Sequence, residues 1–156
     1  MKRIKTLVSA AALFAMLGAA SAAEAQTWGG FLRTAANYAA MSQVGRANGA
    51  AIAQNGAAND ARIGQSGVNQ SATIRQDGAG NFGITGQTGR NNTAAISQTG
   101  NGNAACLLQA GRHLDGSVVQ AGDNQHMGVL QTRFGARPIS TGLCTIIAAG
   151  LLFRGR

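Results

Sequence analysis

The sequence predicts an all-β protein, a two-sheet parallel β-solenoid of cross-β type, built from 11-residue strand-turn units with 22 residues per coil. Three observations lead there. Gln recurs every eleven residues with no insertion. Amide and apolar residues alternate with period two ahead of each Gln. A Gly follows each Gln but the last by two residues.

The Gln series is Gln43, Gln54, Gln65, Gln76, Gln87, Gln98, Gln109, Gln120 and Gln131. The Gly series runs Gly45, Gly56, Gly67, Gly78, Gly89, Gly100, Gly111 and Gly122, and Arg133 stands in the ninth place. Six residues before each Gln stand Asn37, Asn48, Asn59, Gln70, Asn81, Asn92, Asn103, Leu114 and Gln125. Four before it the residue is Ala or Gly, except for Met127. Two before it stand Met41, Ile52, Ile63, Ile74, Thr85, Ile96, Leu107, Val118 and Val129. The unit is N-x-A-x-I-x-Q followed by x-G-x-x.

Each part has a physical reading. Period-two alternation over seven residues marks a strand with one face selected for burial. The four-residue remainder is a turn, where Gly reaches positive φ at little steric cost. An 11-residue period also suits a right-handed helical supercoil, but a Gly in nearly every unit and the i, i+2, i+4, i+6 restriction argue against it. None of the inward columns contains Asp, Glu, Lys or Arg. One unit cannot bury its face alone. Two consecutive units folding back on each other place strand n over strand n+2, in parallel and in register. Nine strands then make four and a half coils, roughly 20 Å of stack at the cross-β spacing of about 4.7–4.8 Å.

The rest of the chain divides around this array. Residues 1–25 read as a secretory signal peptide: Lys2, Arg3 and Lys5 precede an apolar run that ends at Ala23-Glu24-Ala25. Residues 26–36 form an N-terminal segment, and Trp28 and Tyr38 are expected to pack over the N-terminal end. The solenoid spans 37–131. Residues 132–156 form a divergent tail, apolar from Leu143 to Phe153, that reads as a cap or an anchor.

Composition narrows the function. The mature chain has ten Arg, no Lys and four Asp, a net charge of +6, with little beyond Ala and the Ile column to build a core. A chain like this is disordered, or it buries backbone and small side chains by regular stacking. The arginines are scattered along the sequence, so no nucleic-acid specificity is expected. His113 and His126 are the only histidines and the mature chain has no Glu. No catalytic, cofactor-binding or metal-binding set can be named, and an enzyme is not expected. Export permits a disulfide between Cys106 and Cys144. A bridge would pin the tail against the seventh strand; the alternative is two inert small residues.

The repeats resemble the curlin repeat family, the subunits of bacterial curli fibres. The resemblance rests on segments such as Gln43-x-Gly45-x-x-Asn48-x-Ala50-x3-Gln54 and Gln87-x-Gly89-x-x-Asn92-x-Ala94-x3-Gln98, and it covers Asn37 to Gln131. The family's Ser position is mostly Asn here, and Leu114 interrupts the amide column. The resemblance implies a secreted structural subunit of an extracellular amyloid fibre, with roles in adhesion and biofilm matrix. Its implied partners are further copies of itself, other curlin subunits, a curli secretion pore and accessory assembly proteins. The tail suggests an outer-membrane surface contact. The segment 26–36 would be an export tag. The basic charge, irregular last repeat and divergent tail resemble the minor, nucleating subunit somewhat more than the major one. The Gln series, with Asn37, Asn48, Asn59, Asn81, Asn92 and Asn103, would form an assembly ladder. Both ends would carry the interior's template. The competing reading is a capped, monomeric β-solenoid with an ice- or ligand-binding surface.

Overall fold

A computed structural model describes residues 36–144 and 146. Residues 1–25, expected to be a signal peptide, nearly all of the 26–36 segment including Trp28, and the distal tail lie outside the described residues.

Among the described residues ten strands follow one another: β1 Tyr38–Arg46, β2 Gly49–Ala57, β3 Asp60–Val68, β4 Ser71–Ala79, β5 Phe82–Arg90, β6 Thr93–Thr99, β7 Ala104–Arg112, β8 Asp115–Ala121, β9 His126–Thr132 and β10 Gly135–Ile139. Odd strands form a six-stranded sheet in the order β1-β3-β5-β7-β9-β10. Even strands form a four-stranded sheet, β2-β4-β6-β8. Pairing from β1 through β9 is parallel, and like stacks on like: Gln43 on Gln65, Ile52 on Ile74, Gly67 on Gly89. The 22-residue coil expected from the repeat is the one observed.

The two inner faces meet in a thin core. Ala61, Ile63, Ala72, Ile74, Ala94, Ile96, Ala105, Leu107 and Val118 are all buried there, with Ile52 and Val129 packed against them. Each buried Ile or Leu contributes on the order of 2 kcal/mol. The small residues four before every Gln but the last let the sheets close. At Gly83 an added Cβ would already lie 3.1 Å from Ile74 Cγ2 and from Gln76 Nε2.

The repeated Gly has two reasons to be Gly. Gly67 sits at φ +137°, and a Cβ there would overlap the carbonyl oxygen of Gly89 one coil on. At the end of the stack that demand lapses, and Arg133 takes the place. A second column of positive φ lies two residues further along each turn: Ala47, Ala58, Asn69, Gly80, Asn91, Gly102, His113 and Asn124. Asn and Gly suit it. Ala47, Ala58 and His113 hold it at a cost of about 1 kcal/mol each. Its mixed composition concealed it in the sequence.

Two expectations change. The tail holds a tenth strand, turned antiparallel at Arg133–Phe134 and paired to β9, with Ala136 opposite Gln131 and Pro138 opposite Val129. Pro138 argues against a strand inside a sheet, but β10 is an edge, where its missing donor is tolerated. Tyr38 does not cover the N-terminal end. It lies in β1 in the outward-facing column with Asp60 and Phe82. There the Arg62 guanidinium stacks 5.4 Å from the Tyr38 ring centre and pairs with Asp60 at 2.6 Å. That hydrogen bond raises the Arg62 pKa above its ordinary value, against a smaller opposing effect of partial burial.

Candidate assembly interface: amide ladders and the two ends

The Gln column is a continuous side-chain ladder in each sheet. In the even sheet Nε2 of Gln54 donates to Oε1 of Gln76 at 2.9 Å, Gln76 to Gln98 at 2.8 Å, and Gln98 to Gln120 at 2.8 Å. In the odd sheet the same bond runs from Gln43 through Gln65, Gln87 and Gln109 to Gln131, at 2.7–2.8 Å. The second amide hydrogen crosses to the other sheet: Gln65 donates to the Gly49 carbonyl and Gln76 to that of Asp60, at 2.9 and 3.2 Å. Both donors of an interior Gln are thereby satisfied away from water, which is what makes its burial affordable.

The Asn column behaves differently. Its amides do not bond to one another. Nδ2 of Asn59 donates to the Asn55 and Gly78 carbonyls, and its Oδ1 accepts the backbone N–H of Asn81. Asn48, Asn92 and Asn103 repeat the arrangement in full. Asn37 and Asn81 each donate to the Gly carbonyl one coil on and accept a backbone N–H. The Asn side chain thus braces the turn and ties it to the next coil. Gln70, one methylene longer, keeps the two donated bonds but leaves its buried Oε1 without a partner.

The Gln ladders have a direction. Every Nε2 points toward the C-terminal end. At the N-terminal end Gln43 and Gln54 therefore present an Oε1 that accepts no bond among the described residues. At the C-terminal end Gln120 and Gln131 each donate one bond, to the Ala104 and Asp115 carbonyls, and retain a second N–H. One end offers acceptors and the other donors, a head-to-tail match.

The ends also differ in cover. β1 and β2 present nine-residue parallel edges with no strand beyond them among the described residues. At the other end β8 has no strand beyond it among the described residues, while β9 is covered by β10. The tail is held from outside as well. Cys106 of β7, on the outward face, is joined to Cys144, with Cα atoms 6.2 Å apart and a sequence separation of 38. Both sit in a buried cluster with Ile84 and Leu108, against which Phe82, Leu130 and Ile139 pack. Closing a loop of that length stabilises the folded chain by about 4 kcal/mol on a chain-entropy account.

The fold also aligns residues that the sequence leaves apart. Arg46, Val68, Arg90 and Arg112 stack in register along one corner, so the arginines are less scattered than their spacing suggests.

These features define a class: parallel β-solenoids with an amide-laddered core and, among the described residues, one end without a covering strand. The family model of the curlin associated repeat matches residues 34–67, 69–100 and 89–132, and the chain belongs to that family. Comparison with curated proteins finds no match.

Proposed function

We propose that this chain is a secreted structural subunit of curli-type extracellular fibres, assembling by end-to-end strand addition, and not an enzyme. The observation that carries the reading is the N-terminal end: two parallel edges with no strand beyond them among the described residues, in register with acceptor-bearing Gln43 and Gln54, which fit the donor-bearing opposite end of a like solenoid. Addition of this kind needs no chemistry and does not close on itself, so it yields a filament. The Gln series would continue as ladders from one subunit to the next, and the bracing bonds that Asn37, Asn48, Asn59, Asn81, Asn92 and Asn103 make to the following coil would repeat across the joint. Adhesion and biofilm matrix are the roles that follow for such a fibre. Residues 1–25 would direct export and 26–36 would engage a curli pore and its accessory proteins. The minor, nucleating role is favoured over the major one by the basic charge, the irregular ninth repeat and the divergent tail. An outer-membrane contact would fall to the tail beyond Cys144.

A capped, monomeric solenoid is the second reading, and β10 on the β9 edge favours it. The two separate in one experiment. Residues 26–156 are diluted from denaturant, with and without a thiol reductant, and thioflavin T is followed with and without sonicated seeds. A lag phase abolished by seeds, with β-rich fibrils, supports the fibre subunit. A stable monomer that never seeds under either condition sinks it and promotes the capped solenoid.

A further inference from the structure

We propose that the disulfide-latched tail is an end cap that makes this subunit one-ended: it docks through β1 and β2 onto the C-terminal end of an uncapped solenoid of the same 22-residue coil, and it refuses a further subunit at its own C-terminal end. The inference rests on the fibre-subunit reading above.

Three independent features close that end. β10 occupies the hydrogen-bonding edge of β9 where the next parallel strand would lie. It runs antiparallel, is five residues long and contains Pro138 and Arg137, the devices by which sheet edges resist further pairing. It is also fastened. Ile139 packs into the buried cluster of Ile84, Cys106, Leu108 and Cys144, and the Cys106–Cys144 bridge holds the chain just beyond it. Gly128 is part of the fastening, because a Cβ there would stand 2.5 Å from the Ile139 carbonyl oxygen. β10 also leaves the odd sheet two strands longer than the even one. An incoming coil can therefore meet β8 but not β9, and half of a docking surface gives no continuous solenoid.

The partner follows from the same geometry. The β1/β2 end offers the Gln43 and Gln54 Oε1 acceptors, so its occupant must present ladder N–H groups. Those lie at the C-terminal end of a like solenoid. A second copy with its tail latched has that end closed. The occupant is therefore a curlin-type chain without a returning antiparallel strand.

The test uses the 26–156 chain in three forms: oxidised wild type, Cys144→Ser, and Gly128→Val, which displaces β10 with the disulfide left in place. Elongation of the same fibre seeds, prepared from Cys144→Ser, is followed by thioflavin T. Both variants are expected to elongate at least about tenfold faster than the oxidised wild type, since they regain a full strand of ladder bonds at the growing end. Oxidised wild type added at a few per cent should also slow elongation by Cys144→Ser, because each copy that docks leaves a closed end. Equal elongation by all three forms, with no slowing on mixing, overturns the cap and leaves the fibre reading standing. Failure of every form to elongate defeats the fibre reading, and this inference with it.

Discussion

The two ends of the solenoid are built from one repeat and finish differently. At the N-terminal end the first coil stops as if cut from the interior. β1 is exposed along nearly its whole length, Met41 of the inner column is left half-exposed by the incomplete stack, and the Gln43 and Gln54 acceptors are unused among the described residues. At the C-terminal end the repeat decays in steps. Leu114 leaves the amide column, Arg133 replaces Gly, and the chain turns back on β9 to be bridged to β7. The contrast teaches that stacking demands each residue type only while another coil follows. Where no coil follows, the demand is free either to persist as a template or to lapse into a cap.

That contrast can be broken most forcefully at the glycines. In Gly89→Ala the new Cβ overlaps the Gly111 carbonyl oxygen, with φ at +121°. A loss of about 3 kcal/mol or more is expected. Gly111 lies at the C-terminal end, where a Cβ meets only Leu114 and the Arg133 nitrogen, at 3.3 and 3.6 Å. Gly111→Ala should cost less than half as much. Urea unfolding of the two variants checks the ratio, and equal losses would remove the physical basis for Arg133 in the ninth unit.

The ladders give the next largest effect. Gln98→Leu removes one accepted and two donated bonds from a fully buried position and leaves the Gln76 and Gln120 amides short of partners. The cost should be about 2–4 kcal/mol. Gln43→Leu, at the open end, removes a single donated bond and should change stability by less than about 1 kcal/mol. Its expected effect is instead on seeded elongation, because it deletes an acceptor from the docking face. A Gln43→Leu chain that elongates at the wild-type rate would show that the ladder does not cross between subunits.

Two smaller changes sharpen the comparison from inside. Thr85 interrupts the apolar column and its buried hydroxyl has no partner among the described residues. Thr85→Val keeps the shape and removes the orphaned group, so a gain of about 1 kcal/mol is expected in thermal or urea unfolding. Ala58 holds φ at +57° in a turn position that the later units give to Asn or Gly, His113 excepted. Ala58→Gly should gain about 0.5–1 kcal/mol, the left-handed strain less the entropy of Gly. No gain at Ala58 would mean that the N-terminal coils carry their turns without strain.

Much of this architecture was legible in the sequence. Strict 11-residue spacing with two-residue alternation leaves one way to bury the selected face, so strand positions, parallel pairing and the 22-residue register all follow from counting. The buried glutamines were legible too, because a polar residue recurring on an apolar face needs partners of its own kind. The Asn column was legible as a column but not in its bonding. Whether a short amide reaches its neighbour's side chain or the turn's carbonyl depends on where the turn places that carbonyl. β10 was hidden by Pro138 and by its brevity. The faint signal for it was Arg133 and Gly135 flanking Phe134 directly after the last Gln, which is enough for a turn but not for its direction.

What the sequence determined by itself is everything that repeats, since periodicity in the chain becomes translation in space and each coil tests the same residues against the same neighbours. The tertiary structure alone decided what happens once: which way the tail turns, that β10 lies on β9 and not on β8, and that outward-facing Cys106 is buried beneath the tail and joined to Cys144. Those contacts link residues with no periodic relation. Only the folded backbone, with its exposed edge and outer apolar patch, brings them within reach.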